Sequence, residues 1–151
     1  MKPNVIRPIA ICVFYNNGRI LAARFRHPQS DQVFYRPLGG GIEFGEYSAD
    51  AIVREIHEEL GTAVVDVRYL ATLENVFTYN GQTGHEIVVV YDAAFADPAL
   101  YEQTAFVGDD NGQLLDVVWL SLADCRLPDA PPVYPTGLLA LVEEAHAKDA
   151  K

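Results

Sequence analysis

Between Gly39 and Gly61 the chain reads GGGIEFGEYSADAIVREIHEELG, and this segment constrains the fold more than any other. It predicts a helix over Ser48 to Leu60. Ser48 is the expected N-cap. Ala49, Ile52, Val53, Ile56 and Leu60 fall at helical spacing, and Gly61 is a natural stop. Glu55, Glu58 and Glu59 stand at i, i+3 and i+4, so a step of about 100° per residue places them on one helical face. Like charges at that spacing destabilise a helix by a few tenths of a kcal/mol, roughly, per pair. Arg54 relieves this only in part. A solvated acidic face is the bland explanation. The alternative is a hard divalent cation, Mg²⁺ or Mn²⁺, which prefers carboxylate oxygen. The run Gly39-Gly40-Gly41 favours the alternative, because a glycine loop lets backbone carbonyls and amides approach an ion or a phosphate closely.

The spacing adds more. Gly40 is followed by five residues and Glu46, then seven residues and Arg54-Glu55-Ile56, then one residue and Glu58-Glu59, then one residue and Gly61. Chance agreement at these positions is on the order of one in ten million for a chain this long. The segment resembles the Nudix box, the signature of the Nudix hydrolases. Two departures stand out: Thr62 occupies a position that is usually aliphatic, and Leu38 one that is often proline, with Pro37 a residue early. Neither touches an acidic position.

The resemblance implies a Nudix-type helix-sheet-helix sandwich with a mixed sheet. It also implies hydrolysis of a phosphoanhydride in a nucleoside diphosphate linked to another group. By position, Glu58 and Glu59 are the implied metal ligands, Glu55 a ligand, a base or both, and the Gly39 carbonyl a further metal contact. Arg54 is the implied ion-pair partner that holds the glutamates, with Glu46 as its counterpart or an outer contact. The physics is consistent: a polyanionic pyrophosphate meets a polyanionic site only if cations lie between them.

Composition sets the frame. The chain has 151 residues, half of them hydrophobic, which suits one domain over 1–151. A duplex binder needs a basic face, and the net charge of −10 equips the chain poorly for that. No apolar run reaches the roughly 18 to 20 residues of a membrane helix, and the apolar start lacks a small-residue cleavage site. Cys12 and Cys125 form no metal or disulfide spacing, so a reducing, cytoplasmic setting is expected. A homodimer is compatible with all of this, but no interface can be read from the sequence.

Other segments predict an α+β chain. Strands are expected over Pro8 to Tyr15, Ile20 to Arg24, Val33 to Leu38, Val64 to Asn75, His85 to Phe95 and Leu114 to Leu120. Asn16-Asn17-Gly18 and Asn80-Gly81 mark hairpin turns. Gly39 to Gly41 is expected as a backbone-exposing loop, Asp97 to Gln113 as a polar loop, and Thr136 to Ala147 as a closing helix.

Beyond the box the signals thin out. Glu86, Glu102, Asp109 and Asp110 are candidate bases, although Asp109 to Gly112 reads first as a turn. Arg24, Arg26, His27 and Arg36 are candidate phosphate contacts, against a reading as solvated strand-end cations. Phe34, Tyr35, Phe77, Tyr79 and Tyr101 are candidates to stack a base, with about half expected in the core. Tyr79 lies as far beyond the box as a tyrosine that marks some dinucleoside polyphosphate hydrolases. Phe77 stands where ADP-ribose pyrophosphatases have a proline nearby, and the array marking NADH pyrophosphatases is missing. His85 reads as a polar strand start, His57 as solvent-facing, and Cys12 as a small buried residue. A nucleotide-sensing domain that does not hydrolyse its ligand is the competing function. The intact set of acids argues against it.

Overall fold

The computed structural model describes residues 4–148. Strands β1 (Ile6–Val13), β5 (Leu38–Gly41), β6 (Val64–Tyr79) and β7 (Gln82–Phe95) form a four-stranded sheet in the order β5-β1-β7-β6. It is mixed: β1 runs parallel to β7, and the other pairs are antiparallel. A second, antiparallel sheet joins β2 (Tyr15–Asn16), β3 (Arg19–Arg26), β9 (Gln113–Ser121) and β8 (Ala105–Asp110), with β4 (Val33–Arg36) also paired to β3. Helices α1 (Ser48–Leu60) and α3 (Leu138–Ala145) lie on opposite faces of the mixed sheet, and α2 (Leu122–Cys125) is one short turn. The expected helix-sheet-helix sandwich is therefore present.

Residues 9 to 14 of β1 and the start of the turn are all buried because the strand is covered on both sides. Ala10, Cys12 and Phe14 pack with Ala51, Ile52 and Ile56 of α1. Ile9, Ile11 and Val13 pack with Leu138 and Val142 of α3. Alternation along one strand thus feeds two cores, and each large side chain so buried is worth about 1.5–3 kcal/mol. Asn17-Gly18, Asn80-Gly81 and Asn111-Gly112 all carry positive φ at both residues, the backbone that two-residue hairpin turns require.

Several local expectations are corrected. Gly39 to Gly41 is not a loop but strand β5, paired with Ile9 to Ile11. A Cβ on Gly39, at φ 153°, would lie 2.0 Å from the Ala10 carbonyl oxygen, so only glycine lets the strands close here. Ser48 is the first helical residue and not the cap. The N-cap is Tyr47, without a side-chain bond, and Ser48 Oγ instead shares a 2.6 Å hydrogen bond with the Tyr91 hydroxyl. Val53 is exposed. The strand after the first turn, β3, pairs mainly with β9 and not with β1. The segment Asp97 to Gln113 contains a 3-10 turn (Pro98–Glu102) and β8, which pairs with β9 as a hairpin. Gly, Asp and Asn hid the strand because its alternating inward residues, Phe106 and Gly108, include only one large side chain.

Candidate active site

Helix α1 delivers the acids, and Arg54 organises them. Its Nε and Nη2 form a two-pronged pair with Glu46, at 2.8 and 3.0 Å. Nη2 also donates to the Gly41 carbonyl at 3.0 Å. Nη1 reaches Glu55 at 2.9 Å, Glu58 at 3.3 Å and Glu43 at 3.7 Å. A planar guanidinium is the one side chain with donors in enough directions for this. The bonds from Arg54 lower the Glu46 carboxyl below its ordinary range, and Glu46 in turn holds Arg54 charged. Glu46 also accepts from the Glu43 amide at 3.1 Å, so the loop before α1 is tied to the same hub.

Glu59 is the outlier. Ile52, Ile56 and Glu59 stand at i, i+4 and i+7, so a carboxylate occupies the last place of the helix's buried stripe. It is 6% exposed and accepts one hydrogen bond, from the Gly39 amide at 3.2 Å. Burial, with the nearby charges of Glu55, Asp110 and Glu58, pushes its pKa up to about 8. Burial also raises Glu55, against the pull of Arg54. Glu58 is the exposed member, at 53%. The three glutamates grade from core to solvent around one helical face.

The downstream candidates separate. Asp110 acts electrostatically on both Glu55 and Glu59 and lines a cleft of about 240 Å³ with Glu55, Glu58 and Glu59. Asp109 lines the same cleft, but it accepts from the Gly112 amide at 2.7 Å and serves the turn, as expected. Glu102 sits in the 3-10 turn and lines none of the three clefts described here. Glu86 is buried and paired with Arg36 at 3.0 Å, so it is committed to a cation and is not poised as a base.

Two further clefts follow in line, the first sharing Glu59 and Asp110 with the acidic cleft and the second sharing Arg7, Phe25, Arg36 and Glu86 with the first. One, of about 250 Å³, contains Gly39, Gly40, Glu59, Asp110, Arg7 and Arg36. The other, of about 490 Å³, has aromatic walls that include Phe25, Phe34, Phe77, Tyr79 and Tyr134. Arg36 and Tyr79 thus face clefts, with the His27 ring tilted against Phe34 at 4.4 Å and against Tyr79 at 5.7 Å. Arg26 does not: it lines none of the clefts and pairs with Asp31 at 3.5 Å. Arg24 and Tyr35 are also outside them. Tyr101 packs on Phe95 and Trp119 and accepts from the Phe95 amide, a core role. Sequence reasoning missed Arg7, Asn75 and Tyr134. The one available signal was polar Asn75 at an inward position of a strand.

The donor set suits a hard divalent ion. Five carboxylates, Glu55, Glu58, Glu59, Asp109 and Asp110, line one cleft, and Arg54, the cation that meets two of them, is already shared with Glu46. Buried like charges of this kind are costly unless a cation compensates them. Among the described residues, no three His, Cys, Asp or Glu side chains are arranged as they stand to hold a metal ion, and Glu55 and Glu58 lean on Arg54 instead. Among the same residues, no helix is long and apolar enough to cross a membrane.

A family model for the NUDIX domain matches residues 5–138. A relative from Vibrio parahaemolyticus named NAD-capped RNA hydrolase NudC is 28% identical over 144 residues, covering 94% of this chain and 47% of the relative. A protein of the same name from Haemophilus influenzae (strain PittGG) is 28% identical over 138 residues, covering 91% of this chain and 46% of its own. The chain spans about half the length of these curated relatives. The crystal structure of a MutT NUDIX hydrolase from Burkholderia pseudomallei superposes with a TM-score of 0.64 at 25% identity, covering 92% of this chain and 98% of that one. A NUDIX hydrolase from Nitrosomonas europaea shares the fold at a TM-score of 0.61 and 20% identity, covering 97% and 90%. With the acids, their arginine hub and the fold all in agreement, the chain belongs to the Nudix hydrolase family.

Proposed function

We propose that this chain is a divalent-metal-dependent nucleotide pyrophosphohydrolase that cleaves a phosphoanhydride by attack of water on phosphorus. The observation that carries the reading is the clustering of Glu55, Glu58, Glu59 and Asp110 around one cleft, with Glu59 buried. That arrangement costs stability in a protein that binds nothing. Glu58, Glu59, Glu55 and the Gly39 carbonyl would hold Mg²⁺ or Mn²⁺. When bound, such an ion neutralises the pyrophosphate, polarises phosphorus and acidifies water.

The chain's own residues do the rest. Arg54 and Glu46 are positioning residues that fix the direction of Glu55 and Glu58. Glu55 is the proposed base for the attacking water, with its raised affinity for a proton as support. Asp110 is the downstream acid best placed to assist, since it shares that cleft and acts electrostatically on Glu55 and Glu59, while Asp109 in the same cleft is engaged by the Gly112 amide. Arg36 and Tyr79 are proposed to contact the nucleotide. The curated relatives' name supports a dinucleotide pyrophosphate among the substrates, because NAD joins two nucleotides through a phosphoanhydride. Two cysteines without disulfides agree with a cytoplasmic setting.

A product-resolved assay tests the reading. The protein is incubated with Mg²⁺ or Mn²⁺ and a panel of nucleoside triphosphates, nucleotide sugars, ADP-ribose, NAD and dinucleoside polyphosphates, with Glu59→Gln as the blank. Metal-dependent turnover of one class, absent from the blank, supports the reading. Binding without turnover across the panel moves the weight to a nucleotide-sensing domain.

A further inference from the structure

A row of polar residues crosses the mixed sheet at one level. Arg7 of β1 and Asn75 of β6 are the register partners of Glu86 on β7, one on each side. Glu86 is 3% exposed, and its two oxygens are treated unequally. Oε1 accepts from Arg36 Nη2 at 3.0 Å and from Asn75 Nδ2 at 3.2 Å. Among the described residues Oε2 accepts no hydrogen bond, and its one cation, Arg7, stands 4.0 Å away and 47% exposed. No fully buried side-chain oxygen or nitrogen among the described residues lacks a partner, so Oε2 must reach cleft space. A carboxylate only accepts, which fixes the Asn75 amide with its NH₂ toward Glu86.

The place of this oxygen decides what it meets. Arg7, Phe25, Arg36 and Glu86 line both the aromatic cleft and the cleft holding Gly40, Glu59 and Asp110. They form the wall between the two. In a nucleotide with its base among the aromatic rings and its phosphates at the acids, the sugar spans that wall. Phosphate oxygens are acceptors and are repelled by a carboxylate. The base edges point to the far end. Sugar hydroxyls are the donors that remain at the middle of the ligand. We propose that Glu86 Oε2 accepts a hydrogen bond from a ribose hydroxyl, so that this site selects ribonucleotides over deoxyribonucleotides. Asn75 and Arg36 hold the carboxylate in place through Oε1.

This inference rests on the pyrophosphohydrolase reading for the placement of the phosphates. Its effect has a natural size: a hydrogen bond to a charged acceptor is worth about tenfold or more in affinity, and a site built around a hydroxyl rejects the analogue that lacks it.

The test needs no variant at first. The α,β-methylene analogues of ADP and GDP resist hydrolysis. They are titrated calorimetrically into the Mg²⁺-loaded protein as ribo, 2′-deoxy and 3′-deoxy forms. The expected result is a loss of at least about tenfold on removing one of the two hydroxyls, the same for both bases. In Glu86→Ala, checked for folding by circular dichroism, the ribo and deoxy forms should bind alike. Equal binding of all sugars to the wild type overturns the inference. So does discrimination that follows the base and not the sugar. If the analogues fail to bind while the product-resolved assay shows turnover, the sugar inference is lost and the enzyme reading stands. If turnover and binding are both absent, the enzyme reading is lost and the sugar inference with it.

Discussion

Gly40 lies directly against Glu55: a Cβ at position 40 would sit 2.5 Å from Glu55 Oε1 and 2.6 Å from its carboxyl carbon. The glycine of strand β5 therefore makes room for the carboxylate of helix α1, and the obstacle is the end of a flexible side chain. Gly40→Ala is expected to displace that carboxylate with little loss of fold. Turnover should fall by about tenfold or more, since small misplacements of a reacting group are expensive, while Tm changes little. Unchanged turnover would show that the Glu55 position does not matter to the reaction.

Arg54 bonds Glu46, Glu55, Glu58 and the Gly41 carbonyl at once. An ammonium cannot reproduce that planar fork. Arg54→Lys is expected to weaken Mg²⁺ dependence and turnover by roughly 10–100-fold, the usual range for residues that orient metal ligands. A Mg²⁺ titration of activity gives the answer. A lysine variant with wild-type metal affinity would remove Arg54 from its positioning role.

Glu59, with its pKa pushed up to about 8, ties stability to pH. Between its ordinary value of 4.5 and about 8, the folded protein binds more protons than the unfolded chain. The stabilisation from the protonated acid is complete below the lower value and is lost as pH rises through the upper one. In chelator, Tm is therefore expected to fall from pH 5 toward pH 8. Glu59→Gln, or added Mg²⁺, should flatten that slope. A Tm that rises over this window in the wild type and matches the variant overturns the assignment.

Tyr79 stands at the rim of the aromatic cleft, 6.5 Å from the Phe34 ring and edge-on to it. Stacking on one base is worth about 1–3 kcal/mol. Tyr79→Ala is expected to raise KM about tenfold and leave kcat close to the wild type, because the ring does not line the cleft that holds Glu55, Glu58 and Glu59. A loss confined to kcat would contradict a base-stacking role.

Features set by short stretches of chain were legible from the residues alone. Helix α1 begins at Ser48, ends at Leu60 and stops on Gly61 in a left-handed conformation, as its periodicity required. Three Asn-Gly turns are where the dipeptide demands them. The acids of the box are on one helical face because the helical step places them there. The tertiary structure decided the rest, and the reason is that its determinants are distant in sequence. Gly39 to Gly41 reads as a loop because nothing nearby indicates that β1 will pair with it. Glu59 is buried because α1 packs on β1 and β5, which no helical wheel shows. Glu86 became a held carboxylate through Asn75 and Arg36, 11 and 50 residues away. Arg26 and Arg36 look equivalent as strand-end cations. One met Asp31 on a surface loop, and the other met the buried acid between two clefts. Periodicity specifies which side of an element a residue takes, whereas burial and partners depend on what long-range pairing brings to that side.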